Sequence, residues 1–253
     1  MPLAQDRCIC LAKTEYSETS QIVSLLGRQQ GLFRVIAKGA HRRTKAGASK
    51  FDGGIDLLDC GDAVAIVDVS RDLGTLTEWG LRDGHLELRR TLRGMYLGLY
   101  AAELCAALLE EHDPHPRLFD RLEYLLSELP TPRVEEAMLS FELDLLLQTG
   151  HAPELASCGE CGRRIDARDP VYFSPSRGGV VCRNCEGGTP DRLSVDPRLL
   201  RLAQQLVQMP RDNGVPLRLP RLTRHQTDPL NRLLLQHVQH TIGRPLRMTP
   251  YVV

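Results

Sequence analysis

The spacing of hydrophobic and polar positions changes period once along the chain. Residues 5–80 read as short strands. In RCICLAKTE, residues 7–15, Cys8, Cys10 and Ala12 alternate with Ile9, Leu11 and Lys13. TSQIVSLLGRQQG and LFRVIAKGA follow, rich in β-branched and apolar residues, and QQG between them is a hairpin signal. GIDLLDCGDAVAIVDVSRD and LGTLTEWG complete about five strands, with DCGD, Asp59–Asp62, expected as a turn. Closing such a set into an OB-type β-barrel removes every exposed strand edge, and a small sandwich is the alternative.

From residue 85 the period is helical. In TLRGMYLGLYAAELCAALLEEHD the apolar positions recur mostly at three- to five-residue steps, and Asp113–Pro114 stops the run. HPRLFDRLEYLLSELP predicts a second helix. TPRVEEAMLSFELDLLLQTG predicts a third, with Thr131 as N-cap, Pro132 at the first helical position and Gly150 as C-cap. SVDPRLLRLAQQLVQMP and TDPLNRLLLQHVQHTIG predict two more. The expected class is α+β: an N-terminal OB-type barrel over residues 1–80, then an α-helical domain over residues 81–150 and 189–253. Between those helical parts, residues 151–188 read as an insertion.

Charge sharpens this picture. The 253 residues hold 32 Lys and Arg against 32 Asp and Glu, yet the charges are sorted along the chain. Residues 1–50 carry nine cations against three acids, and residues 189–253 carry ten Arg against four Asp. Residues 51–150 between them carry eight cations against twenty acids. The densest cationic stretch is KGAHRRTKAGASK, residues 38–50, with Lys38, Arg42, Arg43, Lys45 and Lys50 and no acid. Basic ends around an acidic middle suit a polyanion at one or both ends; packing of oppositely charged segments is the other explanation.

The insertion carries the sharpest motif. CGECGRRIDARDPVYFSPSRGGVVCRNC is C-x2-C, twenty residues, C-x2-C, the spacing of a tetrahedral zinc site on Cys158, Cys161, Cys182 and Cys185. PVYFSPSRGGVV reads as a hairpin turning at Arg177–Gly179, which gives a zinc-ribbon layout. Arg163, Arg164 and Arg183 stand beside the sulfurs and offset the charge of a tetrathiolate centre. Four thiolates leave no open coordination position, so the expected metal is one structural Zn2+. A redox dithiol pair or an iron–sulfur cluster is the alternative use of the four.

Other reactive residue types point nowhere further. Cys8, Cys10, Cys60 and Cys105 fall on strand or helix patterns and read as buried small apolar residues. His237 and His240 lack a third ligand and read as solvated or capping. Asp52, Asp56, Asp59, Asp62, Asp68 and Asp72 read as solvated turn residues. The sequence holds no phosphate-binding Gly loop with Lys and Ser/Thr, no Gly-x-Ser-x-Gly and no His-Glu-x-x-His. A zinc deaminase needs His-x-Glu, and His151 is followed by Ala-Pro-Glu. The chain is read as a non-enzyme. No apolar run approaches the roughly 20 residues of a membrane span. The start, MPLAQDRCICLAK, lacks signal-peptide layout, so the expected compartment is the cytoplasm.

Four stretches together resemble the RecO family of bacterial recombination mediators. They are EYSETSQIVSLLGRQQGLFRVIAKGAHRR, LYAAELCAALLEEHDPHPRLFDRLEYLLSEL, FELDLLLQTGHAPELASCGECG and IGRPLRMTPYV. In the last, Met248 or Thr249 stands where the family carries Ser. The resemblance implies an OB fold, a helical domain and a four-cysteine ribbon. It implies a DNA repair role at the nucleoid: binding single- and double-stranded DNA, annealing strands, and helping load RecA onto DNA covered by single-stranded DNA-binding protein. RecR, sometimes with RecF, is the implied partner. The candidate DNA-binding residues are Arg34, Lys38, Arg42, Arg43, Lys45 and Lys50. Arg198, Arg201 and Arg232, near an apolar helical groove, are candidates for the acidic tail of the single-stranded DNA-binding protein. The rival function is a zinc-ribbon adaptor between proteins, without direct DNA contact. Few aromatics accompany the cations in the N-terminal region (Tyr16, Phe33, Phe51 and Trp79), so phosphate contact is expected to dominate base stacking.

Overall fold

Alternation of small and β-branched residues builds the first part of the molecule. In the structure, a computed structural model, the described residues are 3–41, 50, 51, 53–68, 70–166, 170–209 and 219–252. Five strands close into a barrel: β1 (Leu3–Ser17), β2 (Ser20–Gly27), β3 (Gly31–Ala37), β4 (Cys60–Ile66) and β5 (Gly74–Asp83). Their order is β1-β2-β3-β5-β4, and β1 pairs with β4 to complete the circuit. Only the β3–β5 contact is parallel; the other four are antiparallel. This is the OB-type arrangement. Cys8, Cys10, Val23, Leu25, Phe33, Val35, Ala37, Ala63, Ala65, Leu76 and Trp79 point inward and form its core. The QQG signal is borne out: Gly27 pairs with Gly31 across the β2–β3 turn, where Gly31 has φ +70°. Asp6 Oδ2 accepts the amides of Gln29 and Gln30 at 2.7 and 2.9 Å and fixes that turn to β1.

The turn expected at Asp59–Asp62 is not there. Cys60, Gly61 and Asp62 already belong to β4, and the chain turns earlier, at Leu58, whose φ is +67°. Gly61 has a packing role instead: a Cβ there would lie 2.5 Å from Trp79 Cζ2. The acids of this region also differ from solvated turn residues. Asp59 is 6% exposed and bonds Arg89 Nη2 at 3.0 Å. Asp56 meets Lys13 Nζ at 2.9 Å, and Asp62 meets Arg82 Nε at 2.7 Å. Asp52 lies outside the described residues.

By contacts the chain divides into two compact units, residues 1–134 and 135–253. The first unit holds the barrel with α1 (Leu92–Leu108) and α2 (Pro116–Glu128). Helix α2 carries Asp120, which takes both Arg28 Nε (2.8 Å) and Arg28 Nη2 (2.9 Å) from the β2–β3 turn. Arg7 of β1 reaches Glu123 at 3.5 Å and lies over the Phe119 ring at 5.3 Å.

The second unit contains α3 (Val134–Gln148), β6 (Val171–Ser174), β7 (Gly179–Cys182), β8 (Leu193–Val195), α4 (Pro197–Gln208), α5 (Arg224–Ile242) and α6 (Thr249–Val252). Helix α3 starts after the expected Thr131 cap: Thr131 Oγ1 accepts the Arg133 amide at 3.3 Å in a turn that precedes the helix. Gly150 ends it with φ +73°. Helix α5 starts ahead of the expected Thr227, because the Gln226 side chain reaches back to accept the Thr223 amide at 2.9 Å. Leu139 and Leu143 of α3 pack with Ala203 and Leu206 of α4 and Leu230 and Leu234 of α5, leaving only about 10 Å³ between them. No helix among the described residues is long and apolar enough to cross a membrane.

Candidate nucleic-acid face and four-cysteine centre

Register decides which cations the barrel presents. Ser24 pairs with Arg34 and Ile22 with Ile36, while Val23, Leu25, Phe33, Val35 and Ala37 fill the core. Alternation therefore puts Arg34, Ile36 and the following Lys38 on the outer side of the β2–β3 ladder. Arg34, Lys38 and Lys50 are all exposed.

The described cations of the barrel divide by partner. Arg7, Lys13, Arg28, Arg71 and Arg82 each hold a carboxylate, at 3.5, 2.9, 2.8, 3.6 and 2.7 Å at closest approach. Among the described residues, Arg34, Lys38 and Lys50 hold none. Lys38 and Lys50 border one cleft of about 600 Å³, whose walls also include Tyr16, Ser20, Ile36 and Phe51. Of the four aromatics read from the sequence, Phe33, Phe51 and Trp79 are at most 4% exposed, and Tyr16 alone is open, at 65%. Arg42, Arg43 and Lys45 lie outside the described residues.

The cysteines come together as their spacing implies. β6 and β7 pair from Val171–Cys182 to Ser174–Gly179, around a 3-10 turn at Pro175–Arg177 and a left-handed Gly178 (φ +65°). This hairpin delivers Cys182 to the first knuckle. There the Gly162 amide bonds the Cys158 carbonyl at 2.8 Å and Gly162 takes φ +71°. The Cys185 amide bonds the Cys182 carbonyl at 3.0 Å and closes the second knuckle. All four Sγ atoms lie within 4.8 Å of one another, and Cys161 and Cys182 are 3.9 Å apart. Four sulfurs at the usual zinc distance of about 2.3 Å sit roughly 3.8 Å from each other, so the cluster fits a tetrahedral metal and could hold one. Burial pushes the Cys158 thiol up, but the amides of Cys182, Cys161 and Glu160 outweigh it and hold its pKa at about 6. Cys185 is shifted upward, chiefly by its hydrogen bond with the Cys182 sulfur.

The remaining cysteines behave as apolar filler. Burial pushes Cys10, Cys60 and Cys105 up to about 12 and Cys8 well above its ordinary value. His237 departs from its expected solvated or capping role. It is 5% exposed, and its Nε2 donates to the His151 carbonyl at 2.7 Å, edge-on to the Phe173 ring.

Two family descriptions cover nearly the whole chain. Recombination protein O N terminal matches residues 1–85, and Recombination protein O C terminal matches residues 89–250. The chain belongs to the RecO family. A relative in Rhodopirellula baltica is 37% identical over 181 residues, which is 70% of this chain and just under two thirds, 65%, of that protein. One in Dehalococcoides mccartyi is 33% identical over 71% of this chain and 68% of its own length. One in Myxococcus xanthus is 28% identical over 98% and 96%. Each bears the name DNA repair protein RecO.

Within this RecO-family chain the third candidate group lies on α4 and α5. Arg198, Arg201 and Arg232 are all exposed. The apolar faces of their helices are packed against α3, with no groove of peptide width among the residues lining that contact. Tyr16 is one of the few aromatics of the N-terminal region, and its neighbours in sequence do not fix its direction. Its direction depends on strand register, which no local residue pattern displays.

Proposed function

We propose that this protein is a DNA-binding recombination mediator in DNA repair, and that its barrel grips the sugar–phosphate backbone through Arg34, Lys38 and Lys50. Arg42, Arg43 and Lys45 extend the same set by sequence. The observation that carries this reading is the sorting of the barrel's described cations: Arg7, Lys13, Arg28, Arg71 and Arg82 are held by carboxylates, and among the described residues Arg34, Lys38 and Lys50 are not. A cation without a carboxylate partner exchanges small counterions for phosphates when nucleic acid arrives, which drives binding in either strand form with little sequence preference. Such contact screens repulsion between two strands and leaves base edges free to pair, as annealing requires. On this reading the protein helps load RecA onto DNA covered by single-stranded DNA-binding protein, with RecR, and in some settings RecF, as partner. It makes and breaks no covalent bond.

Cys158, Cys161, Cys182 and Cys185 hold one zinc in this reading. The metal closes the ribbon and, having four thiolates, takes no substrate. Arg198, Arg201 and Arg232 take the acidic tail of the single-stranded DNA-binding protein by charge along exposed helix surface. Their exposure supports that assignment.

The test is a salt titration of oligonucleotide binding by Arg34→Gln/Lys38→Gln/Lys50→Gln protein. Three lost phosphate contacts to a single strand flatten the slope of log K against log salt by about 2, and all sequences weaken together. A variant with the parent's affinity and slope, its fold intact, removes these residues from the DNA site.

A further inference from the structure

The β1–β2 hairpin holds up a large side chain that folding does not use. Tyr16 is 65% exposed, and its hydroxyl makes no hydrogen bond among the described residues. Register explains where it points. Glu15 pairs with Gln21 and Ser17 with Ser20, so Tyr16 is the extra residue of a bulge, and bulges re-aim side chains out of the regular alternation. The bulge is pinned from both sides. Gln21 Nε2 donates to Glu15 Oε1 at 2.9 Å and to the Ile55 carbonyl at 3.3 Å, and Gln21 Oε1 accepts the Ile55 amide at 3.0 Å. A one-residue slip of β1 along β2 would break the Gln21–Glu15 bond, while the two bonds to Ile55 hold Gln21 itself in place.

Tyr16 lines the cleft of about 600 Å³ together with Ile36, Phe51 and the exposed Lys38 and Lys50. Among the described residues no carboxylate lines this space, and Glu18 of the adjoining turn is not among its walls. An apolar floor, an open aromatic face and two cations suit a flat, apolar-faced group with negative charge on either side. The volume falls in the range of about 300–1,000 Å³ that holds one small organic group.

We propose that Tyr16 is the stacking platform for one unpaired nucleobase, with Lys38 and Lys50 holding the phosphates that flank it. A base inside a duplex has both faces covered by its neighbours and offers none to Tyr16. The cleft therefore selects single strands, whereas Arg34 and the lysines serve both forms. This rests on the reading that the barrel face binds DNA, and it adds a preference for strand form.

The experiment measures affinity of parent, Tyr16→Ala and Tyr16→Phe proteins for one single-stranded oligonucleotide and its duplex, over a range of salt. A 2-aminopurine in the single strand reports stacking. Tyr16→Ala should weaken single-strand binding about 5- to 150-fold and abolish the 2-aminopurine quench. It should leave duplex affinity and the salt slope unchanged, and Tyr16→Phe should retain the parent's values. Emission from Trp79 checks that the barrel is intact in each protein. If Tyr16→Ala binds the single strand like the parent, or loses both strand forms equally, the platform is wrong while phosphate binding stands. If the parent binds neither form, the DNA reading falls and the platform with it.

Discussion

Gly61→Ala tests whether the barrel core is packed as tightly as its geometry requires. The added Cβ would lie 2.5 Å from Trp79 Cζ2, 2.6 Å from Cε2 and 2.8 Å from the Gly80 carbonyl oxygen. Carbon atoms pack at about 3.5–4.0 Å, so the indole has to retreat by roughly 1 Å. It has little room, being 2% exposed inside a closed barrel. Overpacking of this kind costs about 1–3 kcal/mol. Against it, loss of unfolded-chain freedom on replacing Gly by Ala contributes about 0.4–1 kcal/mol of stability. The net is a loss of about 1–2 kcal/mol, which lowers Tm by roughly 3–10 °C for a unit of this size. The chain has one tryptophan, Trp79 itself, so intrinsic fluorescence follows the barrel alone. Gly80→Ala, on the neighbouring strand, is the control: nothing lies within 4 Å of its Cβ position, and its Tm should stay level or rise slightly. If Gly61→Ala melts with the parent and its emission maximum is unmoved, the tight Gly61–Trp79 contact is not a feature of the folded protein.

Two further perturbations probe the second unit. Purified parent protein should carry about one zinc, and Cys158→Ser or Cys185→Ser should lose it and open residues 151–188 to protease, because metal binding and local folding are one equilibrium; metal-free parent with the same melting and digestion pattern would count against this. His237 titrates below its ordinary value, chiefly through burial, and its Nδ1 is buried without a partner among the described residues. The unfolded chain therefore takes the proton first. Stability is whole above the ordinary value of about 6.5 and is lost as pH falls through the depressed folded value. The urea midpoint should fall between about pH 7 and pH 5, and His237→Gln should fall less; equal slopes for the two proteins would refute it.

Legibility in the sequence followed the range of the interaction involved. The strands were legible because alternation is local: Val23 and Leu25 face in and Arg34 faces out, as a period of two requires. The cysteine cluster was legible because each knuckle is four residues long and the hairpin between them carries its own turn at Arg177–Gly179. DCGD misled because its Gly answers to a ring on another strand, not to a turn. Asp59 misled because its partner Arg89 is thirty residues away. His237 misled for the same reason, its partner being His151. Tyr16 had no readable direction, since its bulge exists only in the pairing of β1 with β2.

A neutral chain presents a cationic face only by sorting its charges in space. The acidic middle of the sequence does that sorting within the first unit. Asp120 and Glu123 of α2 meet Arg7 and Arg28, Asp56 meets Lys13 and Arg89, and Asp62 meets Arg82. Exposed pairs of this kind add little to folding. Their larger effect is on the field: a paired cation is cancelled close to the surface, and beyond a Debye length of about 8 Å little of it is felt. Among the described residues Arg34, Lys38 and Lys50 have no such cancellation, so each adds its full charge to the local field despite the net charge of zero. The acids thus orient the barrel as much as the free cations do. They pair the cations on the sides bearing Arg7, Arg28 and Arg82, and among the described residues they leave Arg34, Lys38 and Lys50 without a carboxylate partner.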